Sequence, residues 1–253
     1  MIKNNPRKQP KTELRKRETI DKISIAFVIR MHYEKGDPNW EWRLNYFSSM
    51  VLPKLLRQQT THGTKKFNFD ICIWANKWQE KQLKALSPKI KIFNVKKEKR
   101  GYVSPEWEEK AKRYFIDFMN FKDVVGLGMY DIQIAIDSDD LLITDTFVQK
   151  IYSECMDNKD VHTHLTFQPY VFDAQELKTY RSHIQYSAQR GSAFYAIYQP
   201  DKTDYLFAYH TTHQKMPSFA KKVIVVKEGY CAYTVHGRND SSCIAGGMRQ
   251  IAI

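Results

Sequence analysis

The chain has 253 residues, 42% hydrophobic and 27% charged, enough for one large domain or two joined lobes with a substantial core. No apolar run approaches the ~20 residues of a membrane-spanning helix, and the basic N-terminus lacks the apolar stretch of a secretory signal, so neither a span nor export is expected. The formal net charge of +12 admits an anionic partner, and Cys72, Cys155, Cys231 and Cys243, without any CxxC spacing, fit reduced thiols in a cytoplasmic protein rather than a disulfide scaffold.

Residues 1–20 read as a flexible basic tail. Within residues 1–17, Lys3, Arg7, Lys8, Lys11, Arg15, Lys16 and Arg17 stand against Glu13 alone, a net +6 that is half of the whole surplus. Such a tail suits peripheral contact with anionic lipid headgroups, or with nucleic acid, by charge alone. Residues 21–253 then read as a single domain.

KISIAFVIR, at residues 22–30, predicts a first strand apolar enough to lie inside a parallel sheet. The loop after it, residues 31–39, holds Gly36 and Pro38. At the end of a first strand such a loop is placed to touch a nucleotide. Arg30 and His32 are the candidates to face a base, ribose or phosphate; the alternative for each is an ordinary surface side chain.

From Trp40 the period changes. Leu44, Phe47, Val51 and Leu55 recur at helical spacing, with Arg43, Asn45, Lys54 and Arg57 between them. Pro53 predicts a kink or two abutting helices. TTHGTKK, residues 60–66, returns the chain as a polar loop to a second strand, FDICIW at 69–74. Residues 79–86 predict a short helix and 89–95 a third strand. This alternation indicates a right-handed α/β unit on a parallel sheet. A charged loop at 96–101 and a helix over 105–121, carrying Trp107, Tyr114 and Phe118 inside, come next. The GLG at 126–128 reads as a turn, because it lacks a third glycine and a preceding strand.

Residues 133–142, QIAIDSDDLL, organise the rest. A short apolar run reads as a buried strand, and it ends in three carboxylates within four residues. These repel one another unless something positive sits among them, and the usual solution is a divalent cation held by hard oxygen ligands. Ligands of open α/β sheets bind outside the carboxyl ends of the strands. Asp137 and Asp139 are therefore candidates for a metal and diphosphate site, against the plainer reading of a solvated acidic turn before a helix N-cap.

Thr144 or Asp145 is expected to cap a helix carrying Phe147, Val148, Ile151, Tyr152 and Cys155. The second half is less regular. Residues 161–171, 193–198 and 223–226 read as strands, and YCAYTVHGRND follows at 230–240. Between them, Tyr180, Arg181, His183, Tyr186, Tyr209, His210 and His213 give a density of groups that suits a pocket for a polyhydroxylated ligand.

The ordered set AFVIRMHY, VLPKLLRQQT, FDICIW, IAIDSDDLL and VHGRNDSS, scattered over residues 22–242, resembles the GT-A glycosyltransferases and, within them, the rhamnosyltransferase family. The resemblance implies an α/β fold, a GT-A-like (Rossmann-like) mixed sheet flanked by helices. Its nucleotide-sugar-binding half is 21–145 and its acceptor-binding half 146–253. It implies a hexosyl-type transferase moving a sugar, rhamnose by family likeness, from a nucleotide-diphosphate donor to a glycan or glycoconjugate, with Mn²⁺ or Mg²⁺ bridging the diphosphate. Carried over by position, Asp139 is a metal ligand, Asp137 contacts metal or donor ribose, and His236 completes the metal shell. Carboxylate and imidazole suit Mn²⁺, and the ion offsets charge on the departing diphosphate. Arg238 is placed to take phosphate oxygens in a bidentate fork.

An inverting transferase also needs a carboxylate base near the acceptor hydroxyl. Asp173, Glu176, Asp201 and Asp204 are the candidates, and Asp204, ahead of YLFAYH, fits best by position.

Other readings compete. A nucleic-acid binder interleaves basic and exposed aromatic residues, whereas most aromatics here fall at core-like spacing. A haloacid-type phosphatase wants its DxD on an early strand with Thr or Val two residues beyond, and Leu141 stands there instead. A structural zinc site from His162, His164, His210 and His213 lacks closed-site spacing with cysteines. A catalytically inactive binding module of the same fold is separated from the enzyme by donor hydrolysis.

Overall fold

A computed structural model describes residues 23–31, 33, 35–94, 130–182, 185–189, 191–200, 213, 216–227 and 229–235. The first half contains β1 (Ser24–Arg30), α1 (Trp40–Tyr46), a π turn (Phe47–Val51), α2 (Leu52–Leu56), β2 (Thr61–His62), β3 (Lys65–Lys66) and β4 (Asn68–Ala75). A 3-10 turn (Lys77–Gln79), α3 (Glu80–Lys84), β5 (Ile90–Asn94), β6 (Ile132–Asp137) and β7 (Leu141–Leu142) follow. Then come α4 (Phe147–Met156), β8 (Thr163–Phe167), β9 (Tyr170–Asp173), β10 (Lys178–Arg181), β11 (Tyr195–Tyr198), β12 (Lys222–Val226) and β13 (Cys231–Val235).

Seven strands form one sheet in the order β12-β8-β11-β6-β1-β4-β5. β1 runs parallel to both β4 and β6, and β4 runs parallel to β5. β11 alone is reversed, lying antiparallel between β6 and β8. The mixed sheet flanked by helices that the resemblance implies is therefore the architecture found. Strands this deep inside a sheet are apolar on both faces. Ile25, Phe27 and Ile29 join one cluster with Phe47, Val51, Leu55, Phe147 and Ile151 of the helices, while Ala26 and Val28 point to the other face with Cys72, Trp74 and Tyr195.

From β1 the chain steps outward to β4 and β5 on one side, whereas β6 lies on the other side. The carboxyl edge between β1 and β6 is thus a topological switch point, the crevice where open α/β sheets bind ligands. A second sheet, β10-β9-β13-β7, begins within four residues of that edge.

Several local expectations change. The irregularity at Pro53 is a π turn immediately before it: proline has no N–H to give, and the ladder widens rather than breaking. TTHGTKK is a hairpin, with Gly63 at φ +58° in its turn. The single strand expected over 161–171 is two strands in different sheets, parted at Gln168-Pro169. Thr146, not Thr144 or Asp145, is the N-cap of α4, and it makes no side-chain capping bond. Buried Gln58 does that work from α2's far end: its Oε1 accepts from Val148 N–H at 3.1 Å and its Nε2 donates to Thr144 O at 2.9 Å. Cys72, Cys155 and Cys231 are buried free thiols. The tail, the loop at 96–101, the 105–121 helix, GLG and Cys243 lie outside the described residues.

Candidate functional site

The last residues of β1 and β6 face each other. Arg30 and Asp137 are register partners of the two strands, and both Arg30 Nη2 (2.7 Å) and Nε (3.2 Å) donate to Asp137 Oδ1. Asp140 N–H then donates to Asp137 O at 3.2 Å, closing a tight turn over Ser138 and Asp139. The turn sends the chain into β7, whose two residues pair with Cys231 and Ala232 of β13. Thr234 of β13 gives its N–H to Asp140 Oδ1 at 3.1 Å. β13 is thereby docked on the acidic turn and ends at Val235.

Each carboxylate of the turn meets a different environment. Asp137 is paired at the half-exposed rim. Asp139 is paired with Arg43 of α1, and both side chains are largely withdrawn from water, 14% and 7% exposed. Asp140 is buried; burial, with Asp139 and Asp137 beside it, pushes its carboxyl well above the usual carboxylate range. Burial likewise raises Tyr46, whose hydroxyl donates to Thr234 Oγ1 at 3.4 Å. Two guanidinium groups supply positive charge among the three clustered carboxylates, Arg30 at Asp137 and Arg43 at Asp139.

Helical spacing alone sets Arg43 among the polar residues between the apolar positions. A signal was present: it lies three residues after Trp40 and four before Phe47, both buried, and therefore on the helix's inward face. An inward-facing arginine calls for a carboxylate.

The backbone after β1 is held with equal care. Gln79 is fully buried, and its Nε2 donates to Met31 O at 2.8 Å. Its Oε1 accepts from Tyr33 N–H (3.3 Å) and Asn76 N–H (2.8 Å). Asn76 Nδ2 and Trp78 Nε1 both donate to Tyr33 O, at 2.8 and 3.0 Å. The residues on either side of His32 are thus tied to the end of β4.

Of the candidate site residues, Arg30 and Asp137 are in contact, and Asp139 lies in the turn that follows Asp137. His32, Asp204, His236 and Arg238, with Asp201, His183 and His210, lie outside the described residues. Asp173 is buried and accepts from the N–H groups of Gln175 and Glu176 at 2.9 and 3.1 Å, which makes it the organiser of the β9–β10 turn. Glu176 accepts from Tyr180 Oη at 2.5 Å. Both alternatives to Asp204 among the described residues therefore hold a hairpin together.

Among the described residues no three His, Cys, Asp or Glu side chains converge to hold a metal ion, which removes a zinc cluster there. Two carboxylates at a strand end nonetheless match the way Mg²⁺-type ions are held beside phosphates, by one or two carboxylates with substrate oxygens completing the shell. The hard oxygen donors of Asp137 and Asp139 fit that role.

No family model matches the sequence, and no curated protein does. Among solved structures, S. aureus TarS is similar at a TM-score of 0.46 and 12% identity, over 84% of this chain and 37% of that one. GalNAc-T7 with UDP, GalNAc and Mn²⁺ is similar at 0.43 and 8%, over 86% and 45%. Mouse xyloside xylosyltransferase 1, in its apo form, is similar at 0.40 and 10%, over 71% and 68%. The chain thus spans well under half of TarS. These are likenesses of backbone path, at identities where residues do not correspond one to one.

Proposed function

We propose that the chain is a metal-dependent glycosyltransferase of GT-A type that binds a nucleotide-diphosphate sugar at the β1–β6 switch point. The observation that carries this reading is the Arg30–Asp137 pair at matched strand ends, with Asp139 one turn on. A guanidinium and a carboxylate meet at the carboxyl edge of the sheet, with a second carboxylate two residues on, and open α/β sheets bind their ligands at such an edge, which supports the reading. Asp137 and Asp139 would hold Mn²⁺ or Mg²⁺, which when bound offsets the charge that builds on the departing diphosphate. Arg30 would take diphosphate oxygens, and Gln79 holds the backbone of Met31 and Tyr33 beside it.

The remaining assignments belong to the same proposal. His236 would complete the metal shell, Arg238 would contact phosphate, and Asp204 would serve as the base on the acceptor hydroxyl. The transfer is of hexosyl type, with rhamnose from the family resemblance and a glycan or glycoconjugate as acceptor. The basic tail brings the enzyme to anionic membranes from the cytoplasm. No helix among the described residues is long and apolar enough to cross one.

A thermal-shift panel of nucleotide diphosphates and nucleotide sugars, with and without Mn²⁺, tests the reading. A ligand at 100 times its Kd adds about 2.7 kcal/mol of stability by mass action. The expected result is a shift for one base class that needs the metal. No shift for any member, in either condition, removes the proposal.

A further inference from the structure

We infer that Arg43 is an internal counter-ion that sets how tightly the Asp139 carboxylate takes a divalent cation; this rests on the metal-dependent reading of the site. Two arginines answer the acidic turn, and they differ. The Arg30 side chain is 36% exposed at the rim, whereas that of Arg43 is 7% exposed. Arg43 is held from two directions: Nη1 pairs with Asp139 Oδ2, and the guanidinium lies over the Trp42 ring at 5.4 Å. It projects from α1, which packs into the core through Trp40 on the preceding turn and is continued by Phe47. A cation so anchored cannot swing into solvent as a surface lysine would.

The physical consequence follows from sharing one carboxylate between two positive charges. Away from bulk water the Arg43–Asp139 attraction is strengthened, and so is the repulsion between Arg43 and any second cation at Asp139. A divalent ion arriving alone must compete with the guanidinium. An ion arriving with a diphosphate brings negative charge that offsets the guanidinium as well. Arg43 therefore makes the free protein a weak cation binder and couples metal binding to donor binding. The coupling acts equally in both directions.

Manganese binding to the full chain, read from the loss of the free Mn²⁺ electron paramagnetic resonance signal with Mn²⁺ as the only added ligand, tests this. Arg43→Gln is expected to bind Mn²⁺ at least tenfold more tightly than the wild type, and Asp139→Asn to lose the site. Arg43→Gln/Asp139→Asn should also fail to bind. Arg43→Met, whose stem keeps its packing against Trp42, provides the same comparison if the glutamine variant does not melt cooperatively. If Asp139→Asn abolishes binding but neither Arg43 variant binds more tightly than the wild type, the counter-ion role is wrong and the metal site stands. If wild type, Arg43 variants and Asp139→Asn all leave the signal unchanged, the metal site itself is wrong and the inference falls with it.

Discussion

The backbone N–H of Thr234 donates to the carboxyl of Asp140 at 3.1 Å, tying together two segments 94 residues apart. The bond fixes the end of β13 to the acidic turn. Asp140→Ala leaves a buried N–H without its acceptor and removes packed atoms, at a cost of about 2–4 kcal/mol. Asp140→Asn keeps an acceptor oxygen and removes a carboxyl crowded by Asp137 and Asp139, so its stability should equal or exceed that of the wild type. Urea denaturation of both variants measures the difference. Equal losses would mean that charge, not the hydrogen bond, is what position 140 contributes.

Gln79 is the second fixture. Gln79→Leu fills similar space but strands Met31 O, Tyr33 N–H and Asn76 N–H, so a loss of about 3 kcal/mol is expected. The amides of Tyr33 and Asn76 should then exchange with solvent far faster than those of β1. Unchanged exchange at these two amides would show that the loop is held by other groups.

How much of this was legible beforehand depends on the range of the interaction. β1, β4, β5 and β6 were readable because buried parallel strands are continuous apolar runs. The acidic turn was readable because three carboxylates in four residues are unusual in any context. Gln58 capping α4 and Gln79 clamping residues 31 and 33 were not readable, since a glutamine's partner is chosen by tertiary neighbours and leaves no local pattern. Arg43 falls between these cases: its inward helical position was visible, but its partner Asp139 lies 96 residues on. The reversed strand β11 was hidden for the same reason, because strand direction follows from connections rather than from the composition of YAIY.

His164 predicts a pH dependence. Its side chain is fully buried and stacks on Tyr195 at 5.3 Å, and neither ring nitrogen has a hydrogen-bond partner among the described residues. Burial, with His162 nearby, pushes its pKa down to about 3. Between that value and the ordinary 6.5 the unfolded chain binds the proton and the folded chain does not, so folding stability rises with pH. Its contribution is complete above about pH 6.5 and is lost as pH falls through that window, with a limiting slope of about 1.4 kcal/mol per pH unit. His164→Leu should flatten the wild-type pH profile by that amount between pH 4 and 6. A variant whose profile parallels the wild type over this range would mean that His164 takes up its proton in the fold.

Arg30 and Asp137 offer the sharpest test of the site, because they touch each other and are both assigned to the donor. With the nucleotide diphosphate that gives the largest thermal shift, Arg30→Gln and Asp137→Asn should each weaken binding at least tenfold, about 1.4 kcal/mol. Their combination is expected to lose less than the sum of the two, with a coupling of about 1 kcal/mol, since each single variant also deprives the other residue of its counter-charge. Isothermal titration of the four proteins closes the cycle. If each single variant binds as the wild type does, the pair is only a surface ion pair of small worth, and the donor site is not at this strand edge.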